Sequence, residues 1–372
     1  MIQRLKYLHL PEVLKMNDGT PVTRENWEVR QKELMTILQE NMYGIFPEKT
    51  AEIGAVEVSH HEEIYDGTVD FTLNKVNLNF PTGVFTLEIP LFIPKGVENP
   101  PCLVSLGGGS RAFINRYAPG TPYFPPEYVF KRGIAVAYAP VMDATTDDAD
   151  FSAGISAYIY PNGRDGKQGG KLAVWALISS YVADFIEADG RFDMKNLAVA
   201  GCSRLGKGAL CAGLYDTRFK FVNSVCSGCG GTAILRGKVG ETVGSIMNYA
   251  PYWFTDDFKQ YSDREEEMPF DAHFIIAALA PRKVLVTGAI EDFWCDPYME
   301  MMACIAASET YEMLGFPGFI YEGPHPVPGY RYPVPGDFFK EGSIGYSLRS
   351  GGHGYPPYDW ERIADFMCLH KN

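Results

Sequence analysis

No stretch of the sequence approaches the roughly 18 consecutive apolar residues of a membrane-spanning helix, which excludes that architecture. Low-complexity tracts and internal repeats are absent too, so the chain is neither a solenoid nor a linker. With 46% hydrophobic and 21% charged residues it has the composition of a folded globular protein rather than a disordered one. Positive charge is scarce: 33 Lys and Arg stand against 46 Asp and Glu, a net −13 that repels phosphate backbones and anionic lipid. Nucleic acid and membrane surfaces are therefore not expected as partners. The opening segment MIQRLKYLHLPEVLKMNDG reaches Pro11 before the roughly 7–15 apolar residues of a secretory signal accumulate, so a cytoplasmic location is expected. The eight cysteines form no repeating framework and read as reduced thiols. Cys226-x-x-Cys229 is the one tight pair, and without a second pair or nearby histidines it is not expected to hold a metal.

What remains is 372 residues with room for a sizeable core. Residues 23–43 carry Trp27, Leu34, Ile37, Leu38 and Met42 at helical spacing, with Thr23 as the expected N-cap and Gly44 as the stop. VEVSHHEEIY, DFTLNKVNLNF and VFTLEIPLFIP alternate in the manner of an antiparallel meander with one wet face. Beyond residue 100 the short apolar runs CLVSLG, IAVAYAP, NLAVAGCS, FVNSVCS, KVLVTGA and GFIYEG alternate with helical stretches. Such alternation denotes a parallel sheet covered on both faces. No linker separates the two patterns, so residues 1–372 are expected to form one α/β domain, with 1–50 as an N-terminal helical extension. Two irregular stretches, 142–169 and 324–352, are long enough to be expected at the edge of a functional site.

The strongest chemical signal is Asn196-Leu-Ala-Val-Ala-Gly201-Cys202-Ser203-Arg204-Leu205-Gly206-Lys207, a strand, a sharp turn and a helix. In that context a serine is lifted above the sheet edge while the helix N-terminus supplies N–H groups to an oxyanion. The glycine falls three residues after Ser203 instead of two, so the pattern departs from G-x-S-x-G and a chemically silent turn remains the alternative. A nucleophilic serine needs an acid and then a histidine later in the chain. AIEDFWCDP offers Glu291, Asp292 and Asp296 just past a buried strand. Asp292 is the choice, because Glu291 faces the other way along an extended segment and Asp296 suits the N-cap of a helix starting at Pro297. Among the seven histidines, His9, His60 and His61 precede the parallel sheet, His370 lies at the chain end, His273 starts a buried helix and His325 is fenced by prolines. His353, in Ser350-Gly-Gly-His-Gly354 before the last helix, has the position of a hydrolase base.

Gly201-Cys-Ser-Arg-Leu-Gly-Lys207, Ser227-Gly-Cys-Gly-Gly231, Gly240-Glu-Thr-Val243, Tyr252-Trp-Phe254, Pro269-Phe-Asp-Ala-His273, Ala280-Pro-Arg282, Trp294-Cys-Asp-Pro297 and Gly351-Gly-His353 together resemble the glucuronoyl esterases, carbohydrate esterase family fifteen. The resemblance covers most of the chain from about residue 10 and implies an α/β-hydrolase three-layer sandwich with an antiparallel N-terminal edge. It implies a cofactor-free enzyme cleaving esters of (4-O-methyl)glucuronic acid, acting on a uronic-acid ester or oligosaccharide. By position Ser203 is implied as nucleophile, His353 as base and acid, and Arg204 as oxyanion stabiliser. Lys207, Glu241 and Trp294 are implied as sugar-binding groups. Many members carry the triad glutamate where this chain has Cys226, which leaves the acid role to Asp292. Secreted relatives link the cysteine beside the serine to one beside the histidine; Gly354 occupies that place here, so Cys202 is expected to be free. The competing expectations are a carbohydrate acetyl esterase, which has no use for Lys207 and Glu241, and a non-catalytic binding protein of the same fold.

Overall fold

Strand segments of five to seven residues, apolar enough to be buried on both faces, form the middle of a sheet that has ten strands among the described residues. The computed structural model describes residues 2–107, 121–321 and 331–371. The strands are β1 (Glu52–Ile64), β2 (Val69–Phe80), β3 (Gly83–Pro94), β4 (Cys102–Leu106), β5 (Ala135–Ala139), β6 (Ala198–Cys202), β7 (Phe221–Val225), β8 (Lys283–Ala289), β9 (Phe338–Phe339) and β10 (Ile344–Arg349). Their order is β1-β2-β3-β5-β4-β6-β7-β8-β10-β9. Pairing is antiparallel from β1 to β5 and parallel from β5 through β10, with β9 antiparallel at the far edge. The meander is thus the antiparallel edge of the same sheet.

Alternation along the central strands sends side chains into two cores. Val199, Val222, Val284 and Val286 join the helices Lys171–Asp189, Arg204–Tyr215, Ala272–Ala278 and Pro297–Met313 on one face. Ala200, Phe221, Leu285 and Ala289 join Trp360, Ile363 and Phe366 of the helix Pro357–His370 on the other. This is the three-layer sandwich of an α/β-hydrolase.

Two expectations need correction. The N-terminal helix starts at Trp27 with Asn26 before it, because the Asn26 side chain accepts from the Thr23 N–H (2.7 Å) and closes a turn where Thr23 was expected to cap. It continues as a π-helical segment, Gln39–Tyr43, and stops at Gly44. The last parallel strand is β10, inside the stretch expected to be irregular, whereas Phe319 makes only an isolated bridge to Ile344. Gly345, Ser347 and Arg349 break the apolar run of β10, and its polar groups are matched by tertiary partners: the Tyr346 hydroxyl donates to Pro297 O (2.7 Å) and Ser347 Oγ to Asp337 O (3.3 Å). His325 lies outside the described residues.

The joint where Arg204–Tyr215 leaves β6 is tight. A Cβ on Gly201 would sit 2.1 Å from Leu205 O, backbone against backbone. Gly201→Ala should therefore push the helix off the sheet and lower the unfolding free energy by about 1–3 kcal/mol in urea titrations. Gly352→Ala, with nothing within 4 Å of the added carbon, should change it by no more than about 0.5 kcal/mol.

Candidate active site

Ser203 occupies the turn between β6 and its helix at φ 61° and ψ −129°, a conformation that costs a non-glycine residue on the order of 1–3 kcal/mol and persists only where its surroundings impose it. They do so through two backbone bonds, Ser203 N–H to Val225 O (2.8 Å) and Lys207 N–H to Ser203 O (3.1 Å). The displaced glycine also has its reason here. Gly206, not residue 205, is the position that passes closest to β7, where a Cβ would lie 3.0 Å from Val225 O and 3.2 Å from Ser227 Cβ. Leu205 is free to line the cavity in front of the serine.

Asp292 and His353 meet beside this turn. His353 Nδ1 and Asp292 Oδ2 are 2.7 Å apart, and the Cys295 N–H donates to Asp292 Oδ1 (3.3 Å). The two loops are stitched by Ile290 N–H to Arg349 O (2.9 Å) and Glu291 N–H to Gly351 O (3.1 Å). Burial works to raise the Asp292 pKa, but the bond from His353 and those from Cys295 outweigh it and hold the carboxyl below its ordinary value. Glu291 is exposed, and Asp296 caps the helix Pro297–Met313, accepting from Met299 N–H at 3.3 Å. His273 is buried with Nε2 against Pro11 O (2.9 Å), a core histidine. His370 Nε2 lies 2.7 Å from Lys340 O. Among the described residues the Ser203 hydroxyl makes no hydrogen bond, although Ser203 and His353 line the same two cavities; such contacts commonly tighten only when substrate binds.

The cysteines around this pair are thiols. All eight are free, and Cys202 Sγ donates to Gly354 O (3.2 Å). Cys226 is buried just past β7, where burial pushes its thiol far above the ordinary range. Its Sγ, an Asp292 oxygen and a His353 ring nitrogen lie within 4.8 Å of one another. A metal ion there would displace the Asp292–His353 bond and sit beside the Arg349 guanidinium, 4.0 Å from Sγ, so this donor set suits a proton better than a cation.

A cavity of about 260 Å³ opens on Ser203, Asp292 and His353 and is walled by Lys207, Glu241 and Trp294. Lys207 Nζ and Glu241 Oε2 are 3.6 Å apart and buried, the ammonium 5.6 Å from the Trp253 ring centroid. Glu241 Oε1 accepts from Trp294 Nε1 (3.1 Å) and from the Tyr249 hydroxyl. A buried ion pair is weak evidence of stability but leaves a stranded charge if one partner is lost. Rigid donors, an acceptor and flat aromatic faces are a set that matches sugar hydroxyls. Tyr249 was not singled out in the sequence, and Trp253 stood there only within Tyr252-Trp-Phe254; Tyr249 ends the helix capped by Thr242, eight residues after Glu241, a spacing that could have found it.

On the other side of Ser203 a cavity of about 440 Å³ is lined by Arg204, Leu205, Tyr123, Tyr138, Met142 and Tyr355. Arg204 Nε lies 2.8 Å from Asp147 Oδ2, an ion pair without the alignment of a hydrogen bond. Asp147 also accepts from Trp253 Nε1 (2.6 Å), and its carbonyl from the Tyr252 hydroxyl (2.8 Å). The loop at 142–169 thus does border the site, through a residue the sequence did not single out. A larger cavity of about 530 Å³ beside Phe151, Arg164 and Tyr252 reaches none of Ser203, Asp292 or His353, so size alone does not locate the chemistry.

A family model described as "Glucuronyl esterase, fungi" matches residues 90–315. "Carbohydrate esterase MZ0003", from an unknown prokaryotic organism, is 32% identical over 97% of this chain and 89% of its own length. The 4-O-methyl-glucuronoyl methylesterase of Schizophyllum commune is 27% identical over 85% of this chain and 77% of its own. Among solved structures, a promiscuous esterase of carbohydrate esterase family fifteen from a marine bacterial metagenome superposes with a TM-score of 0.83 at 31% identity, covering 97% of this chain and 96% of that one. The glucuronoyl esterase from Solibacter usitatus gives 0.83 at 26% identity, with 98% of both chains covered.

Asp292→Asn should lower kcat on any ester about 10⁴-fold in a folded protein, while Glu291→Gln should leave it within about threefold of the parent. A depressed folded-state pKa means that the Asp292 bond stabilises the fold above the ordinary carboxylate range and that this is lost as pH falls through the depressed value. The difference in urea midpoint between parent and Asp292→Asn should therefore be largest near neutral pH and shrink in acid.

Proposed function

The chain belongs to the glucuronoyl esterase family and is a carboxylic ester hydrolase, and on that premise we propose that it hydrolyses esters of glucuronic acid or 4-O-methylglucuronic acid with Ser203 as nucleophile, His353 as base and Asp292 as its orienting acid. The observation that carries this reading is the buried Lys207–Glu241 pair with Trp294, in the same cavity as Ser203 and His353. A simple acetyl esterase needs no such set on the acyl side.

Ser203 Oγ attacks the carbonyl carbon at C6 of the uronate while His353 Nε2 takes the hydroxyl proton. Asp292 holds the Nδ1 proton, which fixes the tautomer and stabilises the imidazolium that forms. The tetrahedral oxyanion faces the Arg204 N–H and the N-terminus of the helix Arg204–Tyr215, with the Arg204 guanidinium adding charge. As the intermediate collapses, His353 Nε2 returns its proton to the alcohol oxygen and the alcohol leaves. Water, activated by the same nitrogen, then releases the uronate from Ser203. Lys207, Glu241 and Trp294 hold sugar hydroxyls and ring in ground and transition states alike, so they act mainly on KM.

A second reading, a broader esterase that includes carbohydrate acetyl esters, is favoured by the promiscuity of the marine bacterial relative. Steady-state kinetics on benzyl glucuronate and acetylated xylose separate the two. Lys207→Ala alone would strand the Glu241 carboxylate, so the double variant Lys207→Met/Glu241→Gln is the cleaner probe. It should lose about 10–100-fold in kcat/KM on the glucuronate ester, the scale of one lost charge-assisted bond, through KM. On the acetyl ester it should stay within about threefold. Equal losses on both esters, or a parent that prefers acetylated xylose, sink the glucuronoyl reading and leave the general esterase.

A further inference from the structure

His353 sits in a segment with little means of holding its own shape. Residues 350–354 read Ser-Gly-Gly-His-Gly, and a Cβ added at Gly352 or Gly354 would touch nothing within 4 Å. Such a segment loses more conformational freedom on ordering than any other kind, so something must hold it. Three of the loop's carbonyls instead turn inward onto one side chain, while the Gly351 carbonyl accepts from the Glu291 N–H. Arg349, the last residue of β10 and only 7% exposed, donates from Nη1 to Ser350 O (3.1 Å) and Gly352 O (2.9 Å) and from Nη2 to Gly354 O (3.0 Å). Its Nε donates to Asp359 Oδ2 (2.9 Å), a buried carboxylate in the first turn of the helix Pro357–His370. Four of the five N–H groups of one guanidinium thus serve the loop on either side of His353 and the helix that follows it.

We propose that Arg349 is a positioning residue for ester hydrolysis, its guanidinium anchored by Asp359 and acting as the template around which residues 350–354 wrap so that His353 is presented to Asp292 and Ser203. It rests on the role given to His353 above but not on the choice of sugar. Arg349 lines neither of the two cavities that open on Ser203. Its effect passes through the imidazole, which the Gly352 and Gly354 carbonyls bracket. The guanidinium suits the task because its donors diverge in a rigid plane; a lysine ammonium has the charge without the fork. The neighbouring thiol of Cys226, 4.0 Å from Nη2, gives the arginine no competing carboxylate there, so Asp359 is its only anionic partner among the described residues.

The test uses Arg349→Gln, Arg349→Lys and Asp359→Asn in the full chain, assayed on whichever ester the parent hydrolyses best, with thermal melting alongside. Displacing a catalytic group by about 1 Å can cost on the order of 10²-fold, so Arg349→Gln should lower kcat by about that factor with KM within about threefold. Arg349→Lys should fall between it and the parent. The low-field proton resonance of the His353 Nδ1–H to Asp292 bond should broaden or vanish in folded Arg349→Gln, a change that loss of stability alone does not produce. Fluorophosphonate labelling of Ser203 should slow in parallel. A folded Arg349→Gln with unchanged kcat and resonance overturns the proposal, and so does a rise in KM at constant kcat. Failure of all three variants to fold overturns it too, assigning Arg349 to stability. A parent inactive on glucuronate esters but active on another ester would refute the sugar assignment while leaving this test intact.

Discussion

Parallel hydrogen bonding brings the carboxyl ends of neighbouring strands side by side, and the site depends on that alignment. Register sets Cys202 beside Val225, Val225 beside Thr287, and Ala289 beside Arg349. The chain leaves the sheet at Cys202, Val225, Ala289 and Arg349, and within four residues beyond these ends lie Ser203, Cys226, Asp292 and His353. Groups far apart in sequence thus become neighbours without any direct bond having to pull them together. The strands are rigid because they are buried on both faces, so the loops inherit fixed starting points.

Burial on that scale makes charge expensive, and several of the buried ionisable groups, Lys207, Glu241, Glu300, Arg349 and Asp359, lie around the loops that leave the sheet near Ser203 and His353. Glu300 lies wholly buried beneath the turn after β7, its Oε1 accepting from Ser227 N–H (2.9 Å), Gly228 N–H (3.1 Å) and the Thr232 hydroxyl (3.0 Å). Burial raises its pKa to about 8 against these stabilising bonds. Lys207 and Glu241 wall the cavity, and Arg349 and Asp359 pair under the His353 loop. Removing any one of these would expose its partner to an uncompensated environment, so function and stability are coupled there. The strained φ of Ser203 belongs to the same economy of rigidity: a turn that the backbone disfavours is held by bonds to the neighbouring strand and from the following helix.

Local patterns carried the elements whose own residues decide them. The turn at Ser203 was legible because a buried strand, a cluster of small residues and a helix follow in succession, and Asp296 because a carboxylate before proline caps a helix. Eight ordered motifs carried the family, and with it the sandwich. β10 was not legible, since Gly345, Ser347 and Arg349 disguise a strand whose polar side chains find partners that sequence periodicity does not read, Pro297, Asp337 and Asp359 among them. The N-cap shifted from Thr23 to Asn26 because a side chain closed a turn that competes with capping.

By itself the sequence determined the class of fold, the serine on its turn, and the order in which an acid and a histidine follow it, because these rest on short-range periodicity and on chain order. The choice of Asp292 over Glu291 and Asp296 was also legible and agrees with the 2.7 Å contact to His353. Tertiary structure alone decided that Tyr249, Trp253 and Asp147 join Lys207, Glu241 and Arg204, and that a single arginine gathers three carbonyls around His353. The physical reason is the same in each case: a hydrogen bond or ion pair between distant residues depends on distance and direction to a partner, and those are set only when strand register and helix packing are complete.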